Sequence, residues 1–287
     1  MRGLARTSAV GAGTRLAAET SSAAARHSAA LVPWVVPLAL AAAWEAGARL
    51  GALDTTLAPP LSAILARAAT LAASGRLLGD LAASGWRVVV GFAAASLTAI
   101  PLGVALGLSP RLEAYLAPLV GALRPLAPPA WIPLAILWFG IGDAPAVFII
   151  VVGTFSSLLP GTLAAVKGID PEAIKAAMTL GASRRQVLAH VLLPSLLPDL
   201  MAQLRLGMGL AWMCVIAAEM VAVRRGVGFM MIEARHLFRT EDVLVGMLVV
   251  AAVGLGVDRG LLQLEARLCG WRQGLEPWRV FGRGAQQ

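Results

Sequence analysis

Six apolar runs, each near the length needed to cross about 30 Å of hydrocarbon, constrain this chain more than any motif in it. They extend from Leu31 to about Ala48, Val88 to Leu108, about Tyr115 to Phe139, Pro145 to Val166, about Leu200 to Val223, and Val243 to about Leu262. A water-soluble core does not absorb that much apolar chain. Hydrophobic residues make up 58% of the sequence and charged ones 14%, against about a quarter charged in ordinary globular proteins. Only helices and closed barrels satisfy their backbone polar groups in lipid, so these lengths predict an all-α, polytopic membrane protein of about six transmembrane helices. The organisation that follows is a disordered basic tail over 1–30, a membrane domain over 31–262, and an interfacial C-terminal segment over 263–287.

An even number of spans leaves both ends on one side. With the tail inside, fourteen Lys and Arg residues fall on the inner side and eight outside. That bias places both termini in the cytoplasm. The net charge of +8 therefore reads as orientation signal and lipid contact; no basic patch interleaved with aromatics points to nucleic acid. Cys214, Cys269, His27, His190 and His236 show no metal-ligand or disulfide spacing. The chain has no phosphate-binding Walker loop, nucleophile elbow, HExxH or dinucleotide fingerprint, so no catalytic residue and no cofactor is expected.

One stretch, Asp170 to Leu200, is polar where its neighbours are apolar. Asp170 caps a short helix, Pro171 suits its first turn, and Glu172 faces the positive end of the helix dipole. Gly181 ends that helix in a left-handed turn, and Ser183 with Gln186 forms a capping box for a second helix. Val187, Leu188, Val191 and Leu192 lie on one side of it, with Arg184, Arg185 and His190 largely elsewhere. Pro194 and Pro198 are expected to close it.

The spacing here carries a resemblance. Lys175-Ala176-Ala177, three residues, Gly181, nine residues, then Val191-Leu192-Leu193-Pro194 resembles the EAA loop of bacterial ABC-importer permeases, whose pattern is Glu-Ala-Ala, three residues, Gly, nine residues, Ile-x-Leu-Pro. Lys175 stands where the family has glutamate. The stretches 124–142 and 217–231 resemble the permease subgroup serving aliphatic sulfonates, taurine and nitrate. The resemblance implies two permease copies, two cytoplasmic ABC ATPase subunits docked on the loops from 170 to 200, and a periplasmic or lipid-anchored solute-binding protein. It also implies that Glu172, Lys175, Ala176, Ala177, Gly181, Arg184 and Pro194 belong to the coupling element.

Four prolines at 125, 128, 129 and 133 fall at membrane depth, where irregular backbone survives only inside protein or beside a cavity, so this span is placed at the translocation path. Trp131 and Trp138, seven apart, share its face. Arg124 and Arg205 are expected towards the cytoplasmic side as a route for an anionic solute, with packing or headgroup contact the plainer alternative for each of these groups. Arg205 alternatively pairs with Asp199, and Glu219 most simply pairs with Arg224 or Arg225 at the outer face. A secondary transporter would need inverted repeats or acid relays, and an intramembrane enzyme a paired catalytic set; neither is visible.

Overall fold

The computed structural model describes residues 35–123 and 125–270, and among them every regular element is helical. They divide into two compact units, one up to Ala66 and one from Arg67 onwards. In the first, helix α1 (35–49) is followed by a turn that brings the chain back: Trp44 Nε1 donates to Pro59 O at 3.0 Å, and Glu45 accepts from the Ser62 amide and hydroxyl at 3.1 and 2.7 Å. The amphipathic segment expected after the first span is α2 (Leu61–Ala73), whose later residues belong to the second unit.

The second unit is built on α3 (Arg76–Leu108), α6 (Asp143–Lys167) and α9 (Leu193–Ala222). On α3, Gly91, Ala95, Ala99 and Gly103 recur every fourth residue, all are buried, and Gly107 continues the row. A Cβ on Gly91 would lie 2.6 Å from Ile150, one on Gly103 2.7 Å from Thr162, and one on Gly107 2.5 Å from Val166. The offset is constant, so α3 and α6 run parallel with small residues seated under β-branched ones. Such close approach is what drives helix association in lipid, where no hydrophobic effect remains between helices. Helix α9 runs the other way along α6: Gly153 meets Cys214, and Gly161 meets Gln203.

The structure alters several expected spans. The second begins twelve residues earlier, at Arg76, making α3 about 50 Å long. The third is broken. Helix α4 (Pro110–Leu123) is followed by a 3-10 turn (Pro128–Trp131) and α5 (Ile132–Phe139), with a bend of 85° between the two halves, because the prolines supply no amide donors. The sixth span is α11 (Thr240–Leu268), so the residues expected as a separate interfacial helix from Gln263 are its last turns; Trp271 and Trp278 lie outside the described residues. Four described helices are long and apolar enough to cross a membrane, and the bent pair makes a fifth.

Between α9 and α11 lies α10 (Val227–His236), where the sequence suggests only a glycine-containing turn. Its end repeats a backbone pattern found at the end of α7 (Pro171–Thr179): Phe238 N–H bonds to Arg235 O and Arg239 N–H to Ala234 O. The residue in the left-handed position is here a phenylalanine, with φ 54°. Arg67 ties α2 to the start of α11 through a 2.5 Å bond to Asp242, which holds its guanidinium above the usual arginine range.

Candidate functional site

The polar stretch folds locally as its residues dictate. Asp170 caps α7, accepting from the Glu172 amide at 2.8 Å, with Pro171 at the first position. Gly181 sits at φ +86°, its N–H bonded to Met178 O, while Ala182 N–H reaches back to Ala177 O. These two bonds are the Schellman arrangement that satisfies orphan carbonyls at a helix end. Helix α8 (Arg184–Val187) opens with both halves of the capping box, Ser183 and Gln186 bonding each other's amides.

One expectation here fails. Pro194 and Pro198 do not close the second helix; Arg184–Ala222 is a single helical run of 39 residues. Residues Leu188–Leu192 form a π turn in which Leu193 N–H bonds to Leu188 O, five residues back. The wider turn accommodates the ring of Pro194, which has no donor and crowds a carbonyl four residues back in a regular helix. Pro198 lies buried within α9. The second short helix and the fifth span are therefore one lever, about 58 Å long.

No residue of α7 is buried. Glu172, Lys175 and Ala176 are exposed, Ala177 is half-buried, and Arg184 is exposed at the start of α8. Met178 and Leu180 project apolar surface, 52% and 89% exposed, and Leu180 lines a hollow of about 480 Å³ together with Gly181, Gln186 and His190. An added Cβ on Gly181 would meet nothing within 4 Å, so substitution there is opposed by backbone strain alone. The elbow is thus a partly apolar projection that no described residue of this chain covers.

At the far end of the bundle lies a buried ionic cluster that sequence reasoning largely missed. Glu219, fully buried, pairs with Arg87 at 2.5 Å and not with Arg224 or Arg225 as expected. Its other oxygen accepts from Ser84 Oγ and the Gly228 amide, each at 2.9 Å. Arg87 also bonds Asp143 at the start of α6, at 2.6 and 2.8 Å, and Arg225 O at 2.8 Å. Ser84 Oγ accepts from the Val227 amide and Asp80 from Gly226, so the amides opening α10 are held by side chains of α3 and α9. Four helices converge on one salt bridge. The available signal was a pair of opposite charges in apolar surroundings, each of which needs a partner.

The remaining expected path residues do not gather into one site. Trp131 and Trp138 meet the same ring, Phe148, edge-on at 6.3 and 5.9 Å. Trp131 lines an apolar cavity of about 280 Å³ between α4 and α6, while Trp138 is largely exposed. Arg205 pairs with Asp258 at 2.9 Å and approaches Glu265 at 3.5 Å, at the edge of a cavity of about 560 Å³ between α9 and α11. Arg124 lies outside the described residues. Among the described residues no group of His, Cys, Asp or Glu could hold a metal ion.

Residues 99–268 match the family model described as the binding-protein-dependent transport system inner membrane component. The taurine transport system permease protein TauC of Escherichia coli is 37% identical over 79% of this chain and 85% of that protein. The bicarbonate transport system permease protein CmpB of Synechococcus elongatus is 34% identical over 62% of this chain and 65% of its own length. Among solved structures, an inward-facing conformation of the MetNI methionine ABC transporter shares the fold at a TM-score of 0.53 and 19% identity, over 65% of this chain and 96% of the matched one. With the family model spanning more than half of the chain and TauC matching most of it, the chain belongs to the binding-protein-dependent inner membrane components and is a permease subunit of an ABC transporter.

Proposed function

We propose that this permease translocates a small oxyanion-bearing solute, an aliphatic sulfonate, taurine, nitrate or similar, into the cell at the expense of ATP hydrolysed by partner subunits. Two copies form the pathway across the cytoplasmic membrane with both termini in the cytoplasm. Two ABC ATPases dock on the loops from 170 to 200, and a periplasmic or lipid-anchored binding protein delivers solute on the opposite side. The names of TauC and CmpB, a taurine and a bicarbonate permease, support the solute class.

One observation carries the coupling reading: the exposed elbow at Gly181 leads, from Arg184 onwards, into a helix that continues without a break to Ala222. Glu172, Lys175, Ala176 and Ala177 on α7 meet the ATPase, with Met178 and Leu180 adding apolar contact. Arg184 begins the lever and Pro194 sits at its π turn. A displacement of α7 passes along a continuous helix to the buried cluster at Glu219, where α3, α6 and α10 are tied together, so the cytoplasmic ends move about a fixed outer node. Arg124, Trp131, Trp138 and Arg205 flank the path. In this organisation 1–30 is a cytoplasmic tail, 31–262 the membrane domain and 263–287 the cytoplasmic C-terminal segment.

Gly181→Asp tests the coupling. The substitution forces a side chain into a left-handed turn at a strain on the order of 1 kcal/mol, too little to unfold the bundle. Membrane levels should stay at the wild-type value while solute uptake is lost; normal uptake by this variant removes the elbow from the mechanism.

A further inference from the structure

The buried cluster has one open side. Between the loop that precedes α6 and the segment joining α9 to α10 lies a hollow of about 450 Å³ whose lining includes Arg87, Asp143, Arg224 and Arg225. The Arg87 side chain is 5% exposed and that of its partner Asp143 68%, so a buried cation meets an exposed acid there. The pairing is also incomplete. Nε and Nη2, the two donors on one edge of the guanidinium, both meet a single oxygen, Asp143 Oδ1, at 2.8 and 2.6 Å. That edge is a fork matched to two oxygens side by side, which an anion presenting a pair would fill more fully. Nη1 is committed elsewhere, to Glu219 and to Arg225 O. Arg224 is exposed beside the hollow and, among the described residues, is in no ion pair. Arg225 is drawn aside: its Nε is 4.0 Å from Asp80, and its Nη2 lies where a Cβ on Gly79 would be 2.6 Å away. The other two acids of the cluster, Asp80 and Glu219, are buried.

We infer that this hollow is an oxyanion-binding site in which two oxygens of the ligand take the Nε and Nη2 edge of Arg87 in place of Asp143, with Arg224 as the second cation. Resting on the importer reading above, the occupant is the sulfonate, nitrate or bicarbonate group of the solute, met at the end of the bundle far from the coupling elbow. Asp143 is then a built-in competitor that holds the guanidinium edge while no solute is present. The exchange strands no buried charge: Arg87 keeps Glu219 throughout, and the departing carboxylate is already largely in water. Glu219 continues to tie α9 to α3, while α6 gives up its ion pair to the cluster. Solute binding therefore loosens one helix of the cluster and leaves the others joined.

The test titrates the full-length permease, in phosphatidylcholine nanodiscs and chloride-free buffer, with methanesulfonate, nitrate and bicarbonate, following the heat of binding. At least one of the three should bind saturably. Asp143→Asn keeps the shape and removes the competing charge, so binding should tighten about tenfold; Arg224→Gln should weaken it about tenfold, the effect of one charge-assisted hydrogen bond. A carboxylate with only a structural role gives no gain of affinity when it is neutralised. Binding should persist when phosphatidylglycerol is added to the discs. Unchanged or weaker binding by Asp143→Asn, indifference to Arg224→Gln, or no binding of any of the three by either Asp143→Asn or the wild type overturns the site. Binding abolished by phosphatidylglycerol overturns it too, since a lipid phosphate is then the occupant. Any of these results beside ATP-driven uptake of an oxyanion by the assembled transporter leaves the importer reading intact. An assembled wild-type transporter that moves none of the three takes down the solute class, and this site with it.

Discussion

Replacing Glu219 by glutamine removes the charge from the centre of the buried cluster while preserving its shape. In the wild-type protein one Glu219 oxygen takes Arg87 at 2.5 Å and the other takes Ser84 and Gly228 N–H, each at 2.9 Å, in a site with no exposure of the carboxylate. The glutamine keeps one acceptor and points an NH₂ at a donor. Breaking one side of a buried ion pair costs about 3–5 kcal/mol, because the surviving charge is left without compensation. Here Arg87 retains Asp143 at 2.6 Å, a partner that is 68% exposed, so the lower end, about 3 kcal/mol, is expected. Glu219→Met combined with Arg87→Met removes both charges and should cost well below the sum of the two single Met substitutions, a coupling energy of more than about 2 kcal/mol in the cycle they form. Unfolding in mixed detergent micelles, followed by tryptophan fluorescence, measures each corner. A single-mutant loss below about 1 kcal/mol, or a coupling energy near zero, would mean that the cluster does not hold these ends of the helices together.

Other outcomes follow from the same geometry. Gly103→Val, whose Cβ would lie 2.7 Å from Thr162 and 3.1 Å from Leu159 O, should destabilise the bundle by about 1–3 kcal/mol in the same unfolding assay, while Gly209→Ala, which meets nothing within 4 Å, should be neutral. Phe238→Gly relieves a left-handed side chain and should stabilise the protein by about 1 kcal/mol in that assay, even though it deletes aromatic surface. Ser183→Ala removes one half of the capping box and should cost about 1 kcal/mol locally, read as faster amide exchange over 184–187 with the rest of the helix unchanged.

The elbow at residues 170–187 was legible in the sequence because its determinants are local. Asp170, Gly181, Ser183 and Gln186 act on amides within a few residues of themselves, and the structure places each cap where the spacing puts it. Pro194 misled for a physical reason. A proline ends a helix when its missing donor and its ring have nowhere to go, and the π turn at Leu188–Leu192 gives the ring room, information that no propensity scale contains. The bend in the third span was readable from its four prolines, but its 85° angle was not. The buried ionic cluster lay beyond reach because Arg87 and Glu219 are 132 positions apart and each had a nearer opposite charge to suggest. Counting charges by side treated Arg87 as a loop residue, whereas α3 extends twelve residues beyond the apolar run and carries it inside the bundle. Phe238 gave no sign either, since left-handed turns announce themselves through glycine or asparagine.

Solute flux into sealed vesicles containing the purified permease, measured for taurine, methanesulfonate and nitrate with and without the ATPase and binding protein, addresses the central claim most directly. Accumulation of at least one of these solutes only when ATPase, binding protein and ATP are all supplied is the outcome required of a chain whose sole input is the push on residues 170–200. Sustained flux from the permease alone would show that it carries its own driving mechanism and that the elbow at Gly181 is not the point at which energy enters.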